Sequence, residues 1–381
     1  MEKQDLERAG AIALNRIFGY EPAISTAITE TFGNSYAVFR LSQADIRKIF
    51  GPYNRHADAI GPGALDDGAR ELEWLNRNGH HFVSRLEESF PFRLKECPDA
   101  PSGLYVRSAT SPQELFGRQS HVAIVGTRDP SPYGTEWCNR LVAALSVTGQ
   151  PPVIVSGLAL GIDICAHLSA LGHNMATIAV LPTSIDDVYP RSHTVAAAKI
   201  AGRPGCALVS DFPPGTGARG VTFLRRNRII AGLADATVLV ESREKGGGTI
   251  TARHAFGYGR SVYALPGRID DVRSQGCNRM IAEKIADPVS SLEFLVRDLG
   301  LGVLSGRNRA DFATVLQRRY PDDDRIRAIG AAVRRRRGIT IDELCRSTGW
   351  TFAEVSAACG RLQNDNLIEI DLLQRCTVKI S

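Results

Sequence analysis

The sequence contains no apolar run long enough to cross a membrane. Stretches such as residues 176–182 fall far short of the ~20 apolar residues that a spanning helix needs, and the polar start shows no secretory signal. None of the eight cysteines forms a C-x-x-C pair, which removes support for zinc ribbons and thioredoxin-like redox sites. We therefore expect a soluble cytoplasmic protein with reduced thiols and no membrane association.

Signatures of catalysis and of cofactor binding are also missing. The chain has no G-x-S-x-G elbow, no H-E-x-x-H pair, no G-x-G-x-x-G dinucleotide motif and no G-x-x-x-x-G-K-[ST] loop. Two adjacent acidic pairs, Asp186-Asp187 and Asp270-Asp271, lie in turn-like contexts and are interpreted as solvated loop residues. The sequence thus predicts no catalytic residue, no metal site and no cofactor.

Apolar periodicity divides the chain. Up to about residue 80, apolar residues recur every three or four positions, which predicts an all-helical domain over 1–80. From residue 121, short and nearly uninterrupted apolar runs alternate with helical stretches, as strands covered on both faces do. The core over 81–304 is therefore predicted to be α/β, with a Rossmann-like, doubly wound parallel sheet. The predicted strands are 122–125, 153–155, 177–181, 207–209, 237–240 and 262–265.

The C-terminal part changes texture again. A polar stretch over 305–324 is predicted to be a linker, and 325–381 combines three short helical segments with an alternating hairpin, the order of a winged helix. Its recognition helix, over 352–364, holds Arg361 but also Glu354, so contact with a protein and contact with DNA both remain open. The arginine run 334–337 is interpreted as a solvated face, with phosphate contact as the alternative.

The predicted binding residues lie at strand ends and helix starts. Glycine lets a backbone approach a ligand, helix-start amides attract anions, and the arginine fork fits phosphate. Such parts suit either a phosphodiester chain with bases stacked on aromatic rings or a small phosphorylated ligand. Asp163 is expected to cap a helix, with His167 one turn further on. The predicted site residues are Gly126, Thr127, Arg128, Ser156, Gly157, Arg191, Arg226, Asn227, Arg228, Gly246, Gly247, Gly248 and Thr249.

Charge is compatible with a polyanionic partner without requiring one. Of the net +5, residues 121–300 contribute +3 and residues 301–381 contribute +4, whereas 1–80 contribute −2. A mild positive excess of this size also occurs in enzymes with neutral ligands.

The motif order resembles the DNA-processing protein A family, also called Smf, over roughly residues 90–290. The most specific string is R-N-R-I-I-A-G-L at 226–233, preceded by G-T-R at 126–128 and S-G-L-A-x-G-I-D-x-x-A-H at 156–167. The resemblance implies a helical sterile-alpha-motif-like domain, a Rossmann-like core and a C-terminal winged helix. It also implies binding of single-stranded DNA, protection of incoming strands in natural transformation, loading of the RecA recombinase in homologous recombination, homodimerisation and no established catalysis.

Carried over by position, the family's phosphate-binding arginine falls on Arg128 and its Y-P-K lysine falls on Arg191. The glycine-rich segment falls on 246–249. Thr127 replaces the usual serine and keeps the hydroxyl, whereas Gly247 stands where the family usually has serine and keeps only the backbone amide.

Three further hypotheses complete the sequence-based picture. A nucleotide phosphoribohydrolase-like enzyme acting on a nucleoside monophosphate would need a glutamate where this chain has Ala252. A winged-helix regulator of double-stranded DNA would need a more basic recognition helix. For the homodimer, the apolar segment 290–304 is a candidate interface, and its alternative is a last helix that packs on its own sheet.

Overall fold

The structure is a computed structural model of the 381-residue chain, and it describes residues 2–117, 120–302, 312–336, 338–365, 367–372 and 374–378. Two compact units, Met1–Leu304 and Ser305–Ser381, make up the chain, and each is described by itself. Within the described residues, no helix is long and apolar enough to span a membrane.

The first unit begins with four helices. They are α1 (Lys3–Phe18), α2 (Pro22–Phe32), α3 (Gln43–Phe50) and α4 (Pro62–Arg77). Gly33, with a φ of 67°, ends α2, and the Ser42 side chain caps α3 by accepting from the Asp45 amide. Helices α1 and α4 touch closely because Gly68 lies against the Ala9 carbonyl, where no side chain would fit. This all-helical stretch packs into the same compact unit as the sheet.

A nine-stranded sheet forms the centre of the first unit, in the order β1-β2-β6-β5-β4-β3-β7-β8-β9. Strands β3 to β9 are mutually parallel, whereas β1 and β2 join one edge in antiparallel pairing. The strands are β1 (His81–Ser84), β2 (Gly103–Arg107), β3 (His121–Val125), β4 (Val153–Ser156), β5 (Thr177–Val180), β6 (Ala207–Ser210), β7 (Ala236–Leu239), β8 (Ser261–Ala264) and β9 (Asp287–Pro288). The predicted doubly wound sheet is confirmed, and all six predicted strands agree to within one residue at each end.

Helices cover both faces of this sheet. They are α5 (Phe92–Lys95), α6 (Pro112–Leu115), α7 (Pro132–Ser146), α8 (Ile162–Gly172), α9 (Thr194–Gly202), α10 (Gly220–Leu233), α11 (Gly247–Gly257), α12 (Gln275–Ala282) and α13 (Leu292–Asp298). Along β3, Ala123 and Val125 belong to one hydrophobic core and Val122 and Ile124 to the other. Because both faces are buried, the strand sequences are nearly uninterrupted apolar runs.

The chain order creates a switch point between β3 and β7. From β3 the chain moves outward through β4, β5 and β6, and it then returns to β7 on the other side of β3. In such sheets a crevice opens at the carboxyl ends of the two strands where the winding reverses, which is where ligands bind.

The candidate dimer segment, 290–304, packs inward. Its helix α13 buries Leu295 and Val296 in the core beneath the sheet, and Leu301 joins them. Leu292 and Leu299 pack against the same core. The structure therefore supports the alternative, a last helix on its own sheet, and residues 303 and 304 lie outside the described part.

The second unit combines helices with a small antiparallel sheet ordered β10-β12-β11. Its elements are α14 (Phe312–Arg319), α15 (Asp324–Arg335), β10 (Ile339–Thr340), α16 (Ile341–Thr348), α17 (Phe352–Asn364), β11 (Ile368–Ile370) and β12 (Arg375–Val378). Thr340 and Thr351 begin α16 and α17 with capping boxes, each paired with a glutamate three residues on. This composition agrees with the predicted fold class of the C-terminal part.

The predicted linker over 305–324 is shorter than the sequence indicated. Helix α14 lies inside it, and Leu316 and Tyr320 are buried in the core of the second unit. Leu316 and Tyr320 are four residues apart, the spacing of one helix face, but polar residues dominate the stretch around them and obscure that signal. Residues 305–311 of the predicted linker lie outside the described part of the chain.

Candidate nucleic-acid interface

A cavity of about 640 Å³ opens at the carboxyl ends of β3 and β7, at the switch point. Its walls come from the loop after β3, the segment between β7 and α11, and the first turns of α10, with Asp163 of α8 also in the lining. Eight of the thirteen predicted site residues line it: Gly126, Thr127, Arg128, Arg226, Asn227, Gly246, Gly247 and Gly248.

Glycines allow the backbone after β3 to touch the start of α11. A Cβ at Gly248 would lie 3.2 Å from the Gly126 Cα and 2.7 Å from the Leu239 Cδ1, and one at Gly126 would lie 2.7 Å from the Ile162 Cγ1. This approach brings the first amides of α11 to the cavity wall, where they can donate to an anion. Gly247, by contrast, has no atom within 4 Å of its Cβ position, so a serine would fit there.

Arg128 begins a strip of cationic and aromatic groups at the cavity mouth. Its exposed guanidinium lies over the Phe223 ring, with 4.7 Å between the guanidinium carbon and the ring centroid. Phe223 in turn meets Tyr189 edge-on, at 5.4 Å between centroids, and Tyr189 is 43% exposed. The contacts hold a permanent positive charge beside two rings.

Arg191 follows Tyr189 by two residues in the chain. It opens a short 3-10 turn before α9, directly after the Tyr189-Pro190 pair, and its side chain is exposed. The turn is anchored by His193, whose Nδ1 lies 2.8 Å from the Leu158 carbonyl oxygen. Arg191 does not line the cavity itself but is placed beside its aromatic rim.

Arg226 is a buried cation in the cavity lining. Its Nη1 donates to the Val180 carbonyl at 2.8 Å, and its guanidinium fills the space that a side chain at Gly157 would occupy. Burial lowers the pKa of Arg226 to about 10, an effect that nearby Arg128 increases and Asp163 opposes. The group therefore keeps its charge at neutral pH and adds a fixed positive potential.

Asp163 braces the loop between β4 and α8. Burial raises the pKa of the Asp163 carboxyl, and Arg226, the Ser156 side chain and the amides of Ala159 and Gly157 oppose this shift. The predicted N-cap role of Asp163 is wrong, because the cap of α8 is Gly161, with a φ of 81° that favours glycine.

His167 belongs to the protein core. Its Nδ1 lies 2.8 Å from the Thr177 hydroxyl oxygen, and the side chain is fully buried. Burial lowers the pKa of His167 to about 3, so the ring is neutral at physiological pH.

The lining of the cavity is positively charged. Arg128, Arg226, Arg243 and Lys245 contribute four cationic side chains, and Asp163 contributes one carboxylate. Arg243 and Lys245 are exposed, so the potential is accessible from solvent. An anionic ligand is therefore favoured over a neutral or cationic one.

Comparison with known proteins decides the family. The sequence model of the family described as DNA recombination-mediator protein A matches residues 81–300, more than half of the chain. The chain belongs to this family. It shares 37% identity with protein Smf of Escherichia coli over 59% of each chain, and 34% with DNA processing protein DprA of Bacillus subtilis over 56% of this chain and 70% of that one.

Solved structures of DNA processing protein A agree with this assignment. The X-ray structure from Streptococcus pneumoniae matches with a TM-score of 0.58 and 28% identity, over 77% of this chain and 96% of that chain. A structure from Helicobacter pylori matches with a TM-score of 0.51 and 29% identity, over 58% of this chain and 95% of that chain. The chain spans about three fifths of the length of the Escherichia coli and Synechocystis relatives.

In this member of the family, the R-N-R string divides between two sides of α10. Arg226 and Asn227 line the cavity, whereas Arg228 is buried and its Nη2 donates to the Asp211 carboxylate at 2.5 Å. Successive helix residues project about 100° apart, so Arg226 and Arg228 project about 200° apart and face opposite sides of the helix. The predicted role of Arg228 in DNA contact is therefore corrected to an internal ion pair.

Two predicted hydroxyl groups are likewise used inside the protein. The Ser156 Oγ donates to the Ile124 carbonyl at 2.6 Å, and the Thr249 Oγ1 donates to the Gly246 carbonyl at 2.7 Å. Both side chains are buried. They shape the loops around the cavity without lining it, and Gly157 acts similarly by making room for Arg226.

Among the lining residues outside the predicted set are Phe223, Ser242, Arg243 and Lys245. Lys245 stands immediately before the glycine string, and a broader reading of that motif would have included it. Phe223 lies one helical turn before Asn227 and therefore projects from the same side of α10. The helical spacing that separates Arg228 from the cavity could also have predicted Phe223 as a lining residue. Ser242 and Arg243 carry no distinctive sequence signal.

Glu241 is a strand-end carboxylate with a structural role. It accepts from the Ser131 amide at 2.9 Å and from the Ser131 hydroxyl at 2.5 Å, and its own carbonyl accepts from the Thr127 amide at 2.7 Å. Gly134 leaves the room that this carboxylate needs. Glu241 thereby fixes the loop that carries Arg128.

The position of the phosphoribohydrolase glutamate holds Ala252, which is buried within α11. The carboxylate in the cavity lining, Asp163, is hydrogen-bonded to its own loop. Across the residues that the structure describes, no group of three or more His, Cys, Asp or Glu could hold a metal ion.

Proposed function

We propose that this chain binds single-stranded DNA without strong sequence preference at the crevice between β3 and β7. The observation that carries the proposal is the stack of Arg128, Phe223 and Tyr189 at the cavity mouth, with the exposed Arg191 two residues after Tyr189 in the chain. Cations grip phosphates and aromatic rings stack bases, and every base has a stacking face, so the combination tolerates any sequence. In a duplex the bases are stacked internally and cannot reach such rings.

The cavity supports the phosphate part of this proposal. The amides at the start of α11 and the cations Arg226 and Lys245 lie around one opening, which suits a phosphate that the exposed Arg128 holds from outside. The relative from Helicobacter pylori is described by its single-stranded DNA binding mode, which favours the same ligand class.

We further propose the mediator role that the family resemblance implies. The chain would protect incoming strands in natural transformation and load RecA onto them in the cytoplasm, acting as a homodimer. One crevice offers few phosphate contacts, and two linked crevices would raise avidity by ~10²–10⁴ over a single site. Because α13 packs inward, we propose a dimer surface other than 290–304.

The flanking regions and the chemistry complete the proposal. Residues 1–80 are proposed to be sterile-alpha-motif-like, and 325–381 to be a winged helix whose partner is a protein. No catalysis is proposed, since Ala252 replaces the glutamate that a phosphoribohydrolase requires. Release of ribose phosphate from a nucleoside monophosphate would contradict this part.

The direct test is binding of fluorescent single-stranded and double-stranded oligonucleotides across a salt series. We expect tighter binding to the single strand, with log K falling by about 0.7 per phosphate contact for each tenfold rise in salt. Equal or tighter binding to duplex would overturn the proposal. The mediator role is tested separately, by timing RecA strand exchange on DNA coated with single-strand-binding protein, where no acceleration would leave only a DNA binder.

A further inference from the structure

Tyr20, in the turn between α1 and α2, is an exposed ring held by a buried cation. The ring is 63% exposed, and the guanidinium carbon of Arg225 lies 4.3 Å from its centroid. Arg225 also lies over the Phe212 ring, at 5.4 Å, and forms an ion pair with Asp211 at 3.3 Å. The guanidinium thus joins the exposed ring to the core and fixes its position.

The helical region that carries Tyr20 is joined to the sheet at the same place. The Asn15 side-chain amide donates to the Asp211 carbonyl at 2.7 Å, and both residues are buried. Asp211 therefore connects α1 through its backbone and α10 through its side chain. The ring of Tyr20 is preorganised relative to α10, which lowers the entropic cost of using it as a contact.

Helix α10 connects this ring to the crevice. Phe223 and Arg225 are two residues apart, so they project about 200° apart around the helix axis. Between them, on the outward side, Val221 is 53% exposed and Leu224 is 50% exposed, and Leu224 also lines the cavity. An apolar band therefore runs from the crevice rim over the first turns of α10 towards Tyr20.

We propose that Tyr20 stacks a nucleobase of a single strand that leaves the crevice over the amino-terminal turns of α10. This proposal rests on the proposed function and extends it by one contact outside the crevice. The charge of Arg225 is already paired with Asp211, so at this position the exposed ring face of Tyr20, and not the guanidinium beneath it, is offered to the strand. A strand gripped at Arg128 would reach Tyr20 only if it is long enough to pass over the helix.

The test compares Tyr20→Ala with the wild type on two oligothymidylates, one of about 6 nucleotides and one of about 20, which bracket usual single-strand site sizes. Fluorescence anisotropy should show a loss of at least about fivefold for the longer strand, the effect of one lost stacking contact, and unchanged affinity for the shorter one. Tyr20→Phe should bind as the wild type. Tyr53→Ala removes another exposed ring of the helical region, 98% exposed, and should also bind as the wild type.

The outcomes separate this proposal from the one it rests on. If the wild type prefers neither single strand to duplex, the proposed function is overturned. If it binds both strands and Tyr20→Ala matches it on both, or loses equally on both, the stacking role of Tyr20 alone is overturned. A photo-cross-link from 5-iodouracil in the longer strand to the peptide containing Tyr20 would support the contact directly.

Discussion

On one side of α10, Arg226 lines the crevice near the exposed Arg128. On the other side, Arg225 and Arg228 share the carboxylate of Asp211, out of reach of any ligand. Arg226 and Arg228 stand in one short sequence string, yet helix geometry separates them into a ligand-facing cation and an internal ion pair. The number of charges in a sequence motif therefore overstates the charge that a polyanionic ligand can reach. Variants on the crevice side should change ligand binding, and variants on the other side should change stability.

The largest effect is expected at Asp211. Replacing Asp211 with alanine leaves two buried guanidinium groups without their carboxylate, and loss of one partner of a buried pair costs about 3–5 kcal/mol. The Asp211 side chain is 1% exposed and that of Arg228 is 6% exposed, so solvent cannot compensate. Urea denaturation should show this loss in the free energy of unfolding of Asp211→Ala.

The matched control is Asp58→Ala, which removes an 81% exposed partner of Arg47 and should change stability by less than about 1 kcal/mol. If Asp211→Ala had the same free energy of unfolding as the wild type, Arg225 and Arg228 would not depend on a buried ion pair, and the proposed difference between the two sides of α10 would be wrong.

The crevice side should respond in the opposite way. Replacing Arg128 and Arg191 together with alanine should weaken single-strand binding by at least about tenfold, since a hydrogen bond to a charged group is worth about 1.5–3 kcal/mol. The salt slope should fall by about 1.4, or 0.7 for each phosphate contact. Both side chains are exposed, so the free energy of unfolding should not change.

Arg70→Ala, in α4, removes an exposed arginine away from the crevice and should leave binding unchanged. Unchanged affinity and salt slope in the double variant would place the binding site elsewhere.

A third effect concerns the buried His167 beneath the β4–α8 loop. Its pKa of about 3 in the folded protein is lower than that of an unfolded histidine, about 6.5, so the unfolded chain binds the proton first as pH falls. The stabilisation is therefore present above about pH 6.5 and is lost on acidification, by about 2 kcal/mol at pH 5.

Urea denaturation at pH 7 and pH 5 should show this loss in the free energy of unfolding, and His167→Gln should show a smaller loss. An equal loss in His167→Gln would assign the acid sensitivity to other groups.

The strands and the switch point could be predicted because each carries a direct physical signal. Strands buried on both faces are mostly apolar, and β3 to β7 are buried along their whole length, as is β8 after Ser261. The glycines at 126 and 246–248 indicated the cavity because a close backbone approach excludes side chains there. Strands β1 and β2 escaped prediction, although β2 pairs with both β1 and β6 and buries a short apolar run, Leu104, Tyr105 and Val106.

Residue roles on α10 were harder to predict for a different reason. Arg226 and Arg228 look alike in sequence, and their roles depend on Asp163 and Asp211, which come from distant parts of the chain. The Phe223 stack on Arg128 depends in the same way on the loop after β3 meeting the first turn of α10. Only tertiary structure supplies these pairings.

The smallest effect is expected from removing the second unit. In that unit the cations near the proposed recognition helix have acidic partners: Arg361 pairs with Asp323 at 3.0 Å, and Arg325 pairs with Glu354 at 2.8 Å. Like Arg228, these arginines contribute little free charge, so a chain ending near residue 306 should keep most of its single-strand affinity by fluorescence anisotropy. The two units are separately compact, which makes the truncation feasible. A drop on the order of a hundredfold would mean that the second unit supplies several phosphate contacts, and a matching fall in the salt slope would assign them to its remaining arginines.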